Sequence, residues 1–171
     1  MHSIRRLVMP AVLLTAPFAF AQDAAPAKPV EAAKPPPTAD EIKRVLEYQD
    51  NGKDRGPALL DVIVCAKVDQ TKGSETIFTC IEPITGPAKK DVTLNAWLQF
   101  FVPRGGEYED LKVQWLHGSE VRETKDFKIK GLARARTWLA HTPRKAGKWT
   151  VKILQGEDNK ELGSASFTVE N

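Results

Sequence analysis

Basic side chains are concentrated in one part of this 171-residue sequence. Ten Lys and Arg residues fall between positions 122 and 152, and only two acidic residues oppose them there. Arg134, Arg136 and Trp138 are spaced two residues apart, which in a β-strand places their side chains on one face. Such a row can hold an anionic partner by charge, by forked hydrogen bonds from guanidinium groups and by stacking on the indole ring.

Three more basic residues follow in the next loop and strand, so the sequence predicts one basic and aromatic binding face. A simpler interpretation stays open, because outward-facing basic residues also keep a strand solvated and protect sheet edges. The candidate face consists of Arg134, Arg136, Trp138, Arg144, Lys145 and Lys148.

The sequence shows no motif of an enzyme or a metal site. It contains no nucleophile elbow, no zinc-protease helix motif and no glycine-rich phosphate loop. His117 and His141 stand apart from each other and from other ligand residues, whereas a metal site needs converging ligands. We therefore expect a protein that is not an enzyme, with no cofactor and no metal.

The only two cysteines, Cys65 and Cys80, flank a predicted turn centred on residues 72 and 73. A hairpin with that centre places the two residues opposite each other, with Val64 facing Ile81 and Val68 facing Ile77. The sequence predicts a disulfide, because paired cysteines in an oxidising compartment usually form structural bonds.

Alternation of apolar and polar residues dominates the rest of the chain and predicts a mainly β fold. Seven or eight short strands with turn residues at regular spacing are typical of an immunoglobulin-like β-sandwich with antiparallel strands. We place the strands near residues 59–68, 75–83, 91–103, 111–116, 121–129, 136–141, 148–153 and 165–170.

One short helix is predicted before the strands, over residues 39–50. Thr38 and Glu41 have the spacing of a capping box. Ile42, Val45 and Leu46 then form an apolar stripe, and we expect this stripe to pack across one end or face of the sandwich. The second face of the 91–103 strand, with Trp97 and Phe101, is expected to be covered by a second layer such as this helix.

The first 21 residues have the pattern of a cleaved signal peptide: a charged start, a short apolar run and a small-x-small end. Residues 22–37 are rich in Ala, Pro and Lys and predict a disordered tether, which leaves 38–171 as one domain. We expect a periplasmic or secreted protein without a membrane span after cleavage. Loss of Arg5 and Arg6 lowers the net charge from +3 to about +1, which gives no indication of nucleic-acid binding.

The C-terminal half resembles a family of small bacterial envelope domains of unknown function that are Ig-like β-sandwiches. The resemblance covers about residues 60–170 and departs from the family where His117 follows Trp115 instead of preceding it. It implies a non-catalytic module. The matching elements are Arg136 and Trp138, then Gly147, Trp149 and Val151 of a G-x-W-x-V motif, and finally Phe167 and Val169 of an F-x-V motif.

These observations predict a binding or adaptor module that engages a protein of the cell envelope. The alternative is binding of an anionic glycan or another polyanion through the basic and aromatic face. Salt separates the two, because a polyanion complex weakens steeply as ionic strength rises.

Overall fold

Two β-sheets packed face to face form the body of the protein. A computed structural model describes residues 36–131 and 133–171. The predicted signal peptide and residues 22–35 of the predicted tether lie outside the described residues. The described part of the chain contains nine strands: β1 (Ala58–Val68), β2 (Cys80–Pro83), β3 (Ala88–Lys89), β4 (Leu94–Phe101), β5 (Glu107–His117), β6 (Glu120–Lys130), β7 (Ala135–His141), β8 (Gly147–Gln155) and β9 (Lys160–Glu170).

The four-stranded sheet has the order β2-β1-β4-β7, and the five-stranded sheet has the order β3-β9-β8-β5-β6. Neighbouring strands are antiparallel, except that β3 pairs in parallel with β9. The mainly β sandwich predicted from the sequence is confirmed. The polar, lysine-rich sequence of residues 121–129 predicts an edge strand, and this prediction is confirmed because β6 ends the five-stranded sheet.

The core lies between the sheets and is built from alternate residues of the central strands. In β4, the inward residues from Leu94 to Phe100 are almost fully buried, and Val102 continues this face. The facing sheet contributes Trp115, Trp149 and Ile153, which are also buried. Burial of these large side chains stabilises the sandwich mainly through the hydrophobic effect.

The inward face of β1 differs from the prediction at its start. Its pairing with β4 shifts register between Leu59 and Asp61. A β-bulge of this kind moves the following side chains to the other side of the strand. Strict alternation predicts that Leu60, Val64 and Val68 share the core face, and only Val64 does so. Leu60 is 53% exposed, and Val68 is buried on the outer face of the sheet.

The predicted partner strand over residues 75–83 is wrong in length and register. Only residues 80–83 form a strand, and Cys65 pairs with Pro83 while Val68 pairs with Cys80. Residues 75–79 form turns instead. Ile77 and Ile81 do not continue the core face, and Ile81 is 41% exposed.

One helix, α1 (Ala39–Asn51), precedes the strands, as predicted. Its capping box is present: the Thr38 amide donates to Glu41 Oε2 at 2.8 Å, and the Glu41 amide donates to Thr38 Oγ1 at 3.3 Å. The predicted packing of its apolar stripe is wrong, because the stripe residues are about half exposed. The core between the two sheets is closed without any residue of this stripe.

The C-terminal end of α1 attaches the helix to the sandwich. The ring of Tyr48 stacks on Phe101 with a centroid distance of 5.6 Å, and its hydroxyl donates to the carbonyl of Gly56 at 2.5 Å. The amide of Arg104 donates to the carbonyl of Gln49 at 2.8 Å. The helix therefore covers Phe101, as expected, but it does not cover Trp97.

Candidate functional site

The outer face of the four-stranded sheet carries a small aromatic cluster of its own. Trp97 lies at its base and is buried, together with Cys65 and Val68. Trp138, on the edge strand β7, pairs in register with Trp97 and is half-buried. The chain between β1 and β2 folds over this cluster, so the cover of Trp97 is a turn and not the helix.

The disulfide predicted from the sequence is present and closes this turn. Cys65 and Cys80 are bonded, with their Cα atoms 5.9 Å apart. Cys65 is completely buried. The bond therefore fixes β2 and the end of the preceding turn against the outer face of β1.

Asp69 organises the turn between the two cysteines. Its carboxylate accepts from the hydroxyl of Ser74 at 2.6 Å, the hydroxyl of Thr76 at 2.7 Å and the amide of Thr71 at 2.9 Å. The bond from Ser74 and then those from Thr71 and Thr76 hold the pKa of Asp69 well below its usual range. A carboxylate with three donors is a strong local organiser, because bonds to an ionised acceptor are stronger than neutral ones.

The turn displays Phe78 at the surface in an unusual backbone conformation. Phe78 has φ of +62° and its side chain is 45% exposed. Three contacts hold it there: its amide donates to Asp69 O at 2.7 Å, Trp97 Nε1 donates to its carbonyl at 2.8 Å, and its ring stacks on Trp138 at 5.6 Å. The left-handed conformation costs a residue with a side chain about 1–2 kcal/mol, so the surrounding contacts impose it.

Two arginines of the predicted basic face flank this aromatic pair. Arg136 is in register with Gln99 on the same face, and its Nη1 lies 3.4 Å from the carbonyl of Ile77. The side-chain amide of Gln99 is oriented with its oxygen towards Arg134, and this oxygen accepts hydrogen bonds from Arg134 Nε at 3.1 Å and Nη2 at 3.0 Å. We call the surface formed by Phe78, Arg134, Arg136 and Trp138 the aromatic face.

The structure does not bring the other three predicted residues to the aromatic face. Lys148 is exposed on β8, in the five-stranded sheet, where it alternates with the buried Trp149. Arg144 and Lys145 lie in the loop between β7 and β8 and line a separate cleft. The single face expected from the sequence is thus divided among three places, because consecutive strands β7 and β8 belong to different sheets.

The cleft lies where the edge strand of one sheet faces the edge strand of the other, β6 and β7. It has a volume of about 680 Å³, which is in the range of small-molecule sites. We call it the basic cleft, and its charged or titratable lining residues are Arg122, Glu123, Lys125, His141, Arg144 and Lys145.

Among the described residues, Glu123 is the one carboxylate that lines the basic cleft. His141 Nδ1 lies 2.5 Å from its Oε2, and Lys125 Nζ lies 3.1 Å from its Oε1. Burial alone would raise the pKa of Glu123, but the hydrogen bonds and charges of His141 and Lys125 outweigh it and hold that pKa below its usual value. Glu123 is therefore a charged anchor for its two neighbours.

Aromatic rings back the histidine of the basic cleft. His141 stacks on Trp115 at 4.9 Å and lies 5.3 Å from Trp149, which also contacts His117 at 5.2 Å. The spacing of the two histidines in the sequence predicts that each is isolated from other ligand residues. Their common contact with Trp149 could not be found from spacing, because it joins residues of β5, β7 and β8 across the two sheets.

Phe78 and the inward pair of Glu123 and Lys125 are functional candidates that the sequence did not predict. A signal for the pair exists: both positions alternate with outward residues on a predicted edge strand, and inward charges are typical of such edges. Phe78 has no signal of this kind, since its left-handed backbone is normally a position for Gly or Asn.

The described residues carry little that would indicate a metal site or a membrane span. Within residues 36–131 and 133–171, His, Cys, Asp and Glu side chains nowhere form a group of three able to hold a metal ion. In the same part of the chain, no helix has the length and apolar character needed to cross a membrane.

A known family model matches part of the chain. Residues 108–169 match the family described as "Protein of unknown function (DUF2914)". The match begins in β5 and ends in β9, so it includes the Trp and His residues around the basic cleft but neither the disulfide nor α1. No curated protein matches the chain.

Solved structures show only distant similarity. The alkylpurine DNA glycosylase AlkC of Pseudomonas fluorescens is 14% identical with a TM-score of 0.40, over 67% of this chain and 30% of the glycosylase. A CARDB domain from Pyrococcus furiosus is 16% identical with a TM-score of 0.35, over 50% of this chain and 86% of the domain. The Bifidobacterium adolescentis GH3 β-glucosidase is 12% identical with a TM-score of 0.38, over 67% of this chain and 17% of the enzyme. At these values the similarities carry no argument about function.

Proposed function

We propose that this protein is a non-catalytic binding module of the bacterial cell envelope that engages a protein partner through the aromatic face. The observation that carries the proposal is the display of Phe78, which contacts hold in a left-handed conformation with almost half of its side chain exposed. Backbone strain of this kind persists where surrounding contacts impose it, and it is concentrated at functional sites.

The composition of the aromatic face fits a protein interface. Aromatic residues and arginine are the residue types that most often dominate the energy of protein–protein binding. Here two rings stack on each other, and an arginine lies beside them with its guanidinium anchored on the turn. Little side-chain entropy remains to be lost on binding, which favours affinity.

The disulfide and the N-terminal pattern support an envelope location. A bonded pair of cysteines is typical of proteins of the periplasm or the cell exterior, and residues 1–21 have the pattern of a signal peptide.

The test compares the wild-type protein with variants in capture from an envelope extract of the source bacterium, at low and at high salt. Phe78→Gly removes the ring and relieves the backbone strain. Relief of the backbone strain should stabilise the fold by about 1–2 kcal/mol, and loss of the packed ring should destabilise it by about as much, so the free energy of unfolding should change little. We therefore expect the variant to keep its fold, as measured by urea unfolding, and to lose the partner.

A second variant and a control complete this design. Arg134→Glu with Arg136→Glu should also lose the partner, while Val121→Ser, at an equally exposed position on β6, should keep it. We expect one discrete protein that wild type and control retain at high salt. Equal capture by wild type and Phe78→Gly would refute the aromatic face, and capture of acidic polymer at low salt alone would favour the glycan alternative.

A further inference from the structure

The basic cleft has more positive charge than its own acidic residues neutralise. Lys125 is paired with Glu123, and Arg122 is paired at 2.6 Å with Glu120, which does not line the cleft. Arg144 and Lys145 are exposed and form no ion pair within residues 36–131 and 133–171. The cleft thus contains four cationic side chains and one carboxylate, which favours an anionic ligand.

The loop that carries the two unpaired cations is held in place from several sides. Trp149 Nε1 donates to the carbonyl of Lys145 at 2.9 Å, and His117 Nε2 lies 2.9 Å from the carbonyl of Ala146. The amide of Asp91 donates to the carbonyl of Pro143 at 2.9 Å. A basic loop with its backbone fixed in this way is preorganised, so binding a ligand costs less ordering than at a mobile surface loop.

Hydroxyl groups complete the lining of the basic cleft. Thr93 and Thr142 both line it, and their hydroxyl oxygens are 2.9 Å apart. One hydroxyl donates to the other, so the pair leaves one hydroxyl proton for a ligand. Together with the ammonium and guanidinium groups, this pair provides donors from more than one direction, as recognition of an oxyanion requires.

The number of charges favours a phosphate over a carboxylate. A single carboxylate has one charge and would neutralise only one of the two unpaired cations. A phosphate monoester has a charge of about −1.5 to −2 at neutral pH and three acceptor oxygens. The volume of about 680 Å³ exceeds what a free phosphate needs and leaves room for the group that bears it.

We infer that the basic cleft is a binding site for a phosphorylated ligand, with Arg144 and Lys145 as the residues that contact the phosphate. Arg122 and Lys125 add positive charge at the wall of strand β6, and Glu123 with His141 fixes Lys125 in position. The site is separate from the aromatic face, so it does not depend on the function proposed above.

The inference is tested by titration of the isotope-labelled protein, followed by NMR shift changes, with three probes at low salt. The probes are inorganic phosphate, glucose 6-phosphate and vesicles that contain an anionic phospholipid. Binding of glucose 6-phosphate indicates a soluble ligand, whereas binding of the vesicles alone indicates a lipid headgroup. In either case we expect shift changes at Arg144, Lys145 and Thr142, and inorganic phosphate should compete.

Two charge-reversal variants distinguish a contact inside the cleft from a general effect of net charge. Lys145→Glu and Lys148→Glu change the net charge equally, but only Lys145 lines the cleft. Lys145→Glu should raise Kd at least about tenfold, because reversal replaces attraction by repulsion at contact distance. The two variants are compared in about 0.15 M salt, where exposed charges are largely screened. Lys148→Glu should change Kd there by less than about twofold, because its side chain does not line the cleft.

The outcomes either support or overturn the inference. Absence of binding by all three probes, or an equal loss with Lys145→Glu and Lys148→Glu, overturns it. Phe78→Gly should leave binding of the phosphorylated probe unchanged. Failure of the cleft and failure of the aromatic face are therefore distinguishable.

Discussion

Asp69 positions the surface residue Phe78 although its carboxylate makes no hydrogen bond to Phe78. Its carboxylate gathers donors from three residues of the turn, and its backbone binds the amide of Phe78 at 2.7 Å. The folded turn then places the ring of Phe78 on the ring of Trp138. Sequence spacing could not reveal this role, since a turn aspartate is common and its partners depend on the fold of the loop.

The low pKa of Asp69 leads to a prediction about acid stability. A carboxylate with a pKa lowered in the folded state stabilises the protein above its unfolded pKa of about 3.9, and this stabilisation is lost as pH falls through the folded value. Asp69→Asn lacks it at every pH. We expect the variant to be less stable than wild type at neutral pH, with the difference shrinking below about pH 4.

Urea unfolding at neutral pH, at pH 5 and at pH 3 measures this difference, and Asp61→Asn on β1 is the control for loss of a negative charge. Asp61 is exposed, and its replacement should change stability little at any of these pH values. A difference between Asp69→Asn and wild type that stays constant across the range would contradict the role given to the ionised carboxylate.

At the scale of elements, the disulfide was predicted correctly although the strand pairing behind it was wrong. The expected hairpin placed Cys65 opposite Cys80, whereas the structure pairs Val68 with Cys80 and leaves the bond to span the outer face. Irregular pairing between β1 and β2 brings the two Cα atoms to 5.9 Å despite the shift. The prediction of the bond rested on the cysteine count, on the compartment expected from the signal-peptide pattern and on the hairpin register, and only the register was wrong.

Removal of the disulfide should destabilise the protein and loosen one element first. In the chain-entropy treatment, a bond that closes a loop of this length contributes about 3 kcal/mol. We expect the double variant Cys65→Ala and Cys80→Ala to lose about that much in chemical unfolding. Hydrogen exchange should increase most in residues 69–83, since β2 is a short edge strand with few other contacts.

Wild-type protein treated with a reductant is the natural comparison for this variant. The two should have the same free energy of unfolding and the same pattern of exchange. Uniform acceleration of exchange in both sheets would instead mean that the bond supports the whole sandwich and not the turn that carries Phe78.

The helix shows a different limit of sequence reasoning. Its bounds and its cap followed from local rules, because the capping box and the stripe spacing are properties of the helix alone. Its packing did not follow, because the stripe of Ile42, Val45 and Leu46 predicts an apolar face but not its partner. Whether such a face is buried depends on the free surface that the rest of the fold leaves.

At the scale of the whole molecule, the strand patterns predicted a two-layer sandwich, but not which edges of the two layers meet. Alternation along β4 and β8 is a local property and identified the core residues. The basic cleft depends on β6 and β7 facing each other from different sheets. That relation is set by strand order, which the sequence pattern leaves open.

Because the main core and the outer aromatic cluster are separate, we expect replacement of a tryptophan to affect stability differently in each. Trp115 is completely buried between the sheets, whereas Trp138 is half-buried on the outer face. Trp115→Ala should lower the free energy of unfolding by about 3–5 kcal/mol, as expected for a large side chain in a packed core. Trp138→Ala should cost less than half of that, because much of its surface is in water already. Far-ultraviolet circular dichroism during urea unfolding measures both. Equal losses would mean that the cover of the four-stranded sheet is as important for the fold as the core, and that the aromatic face is a structural surface and not a surface for binding.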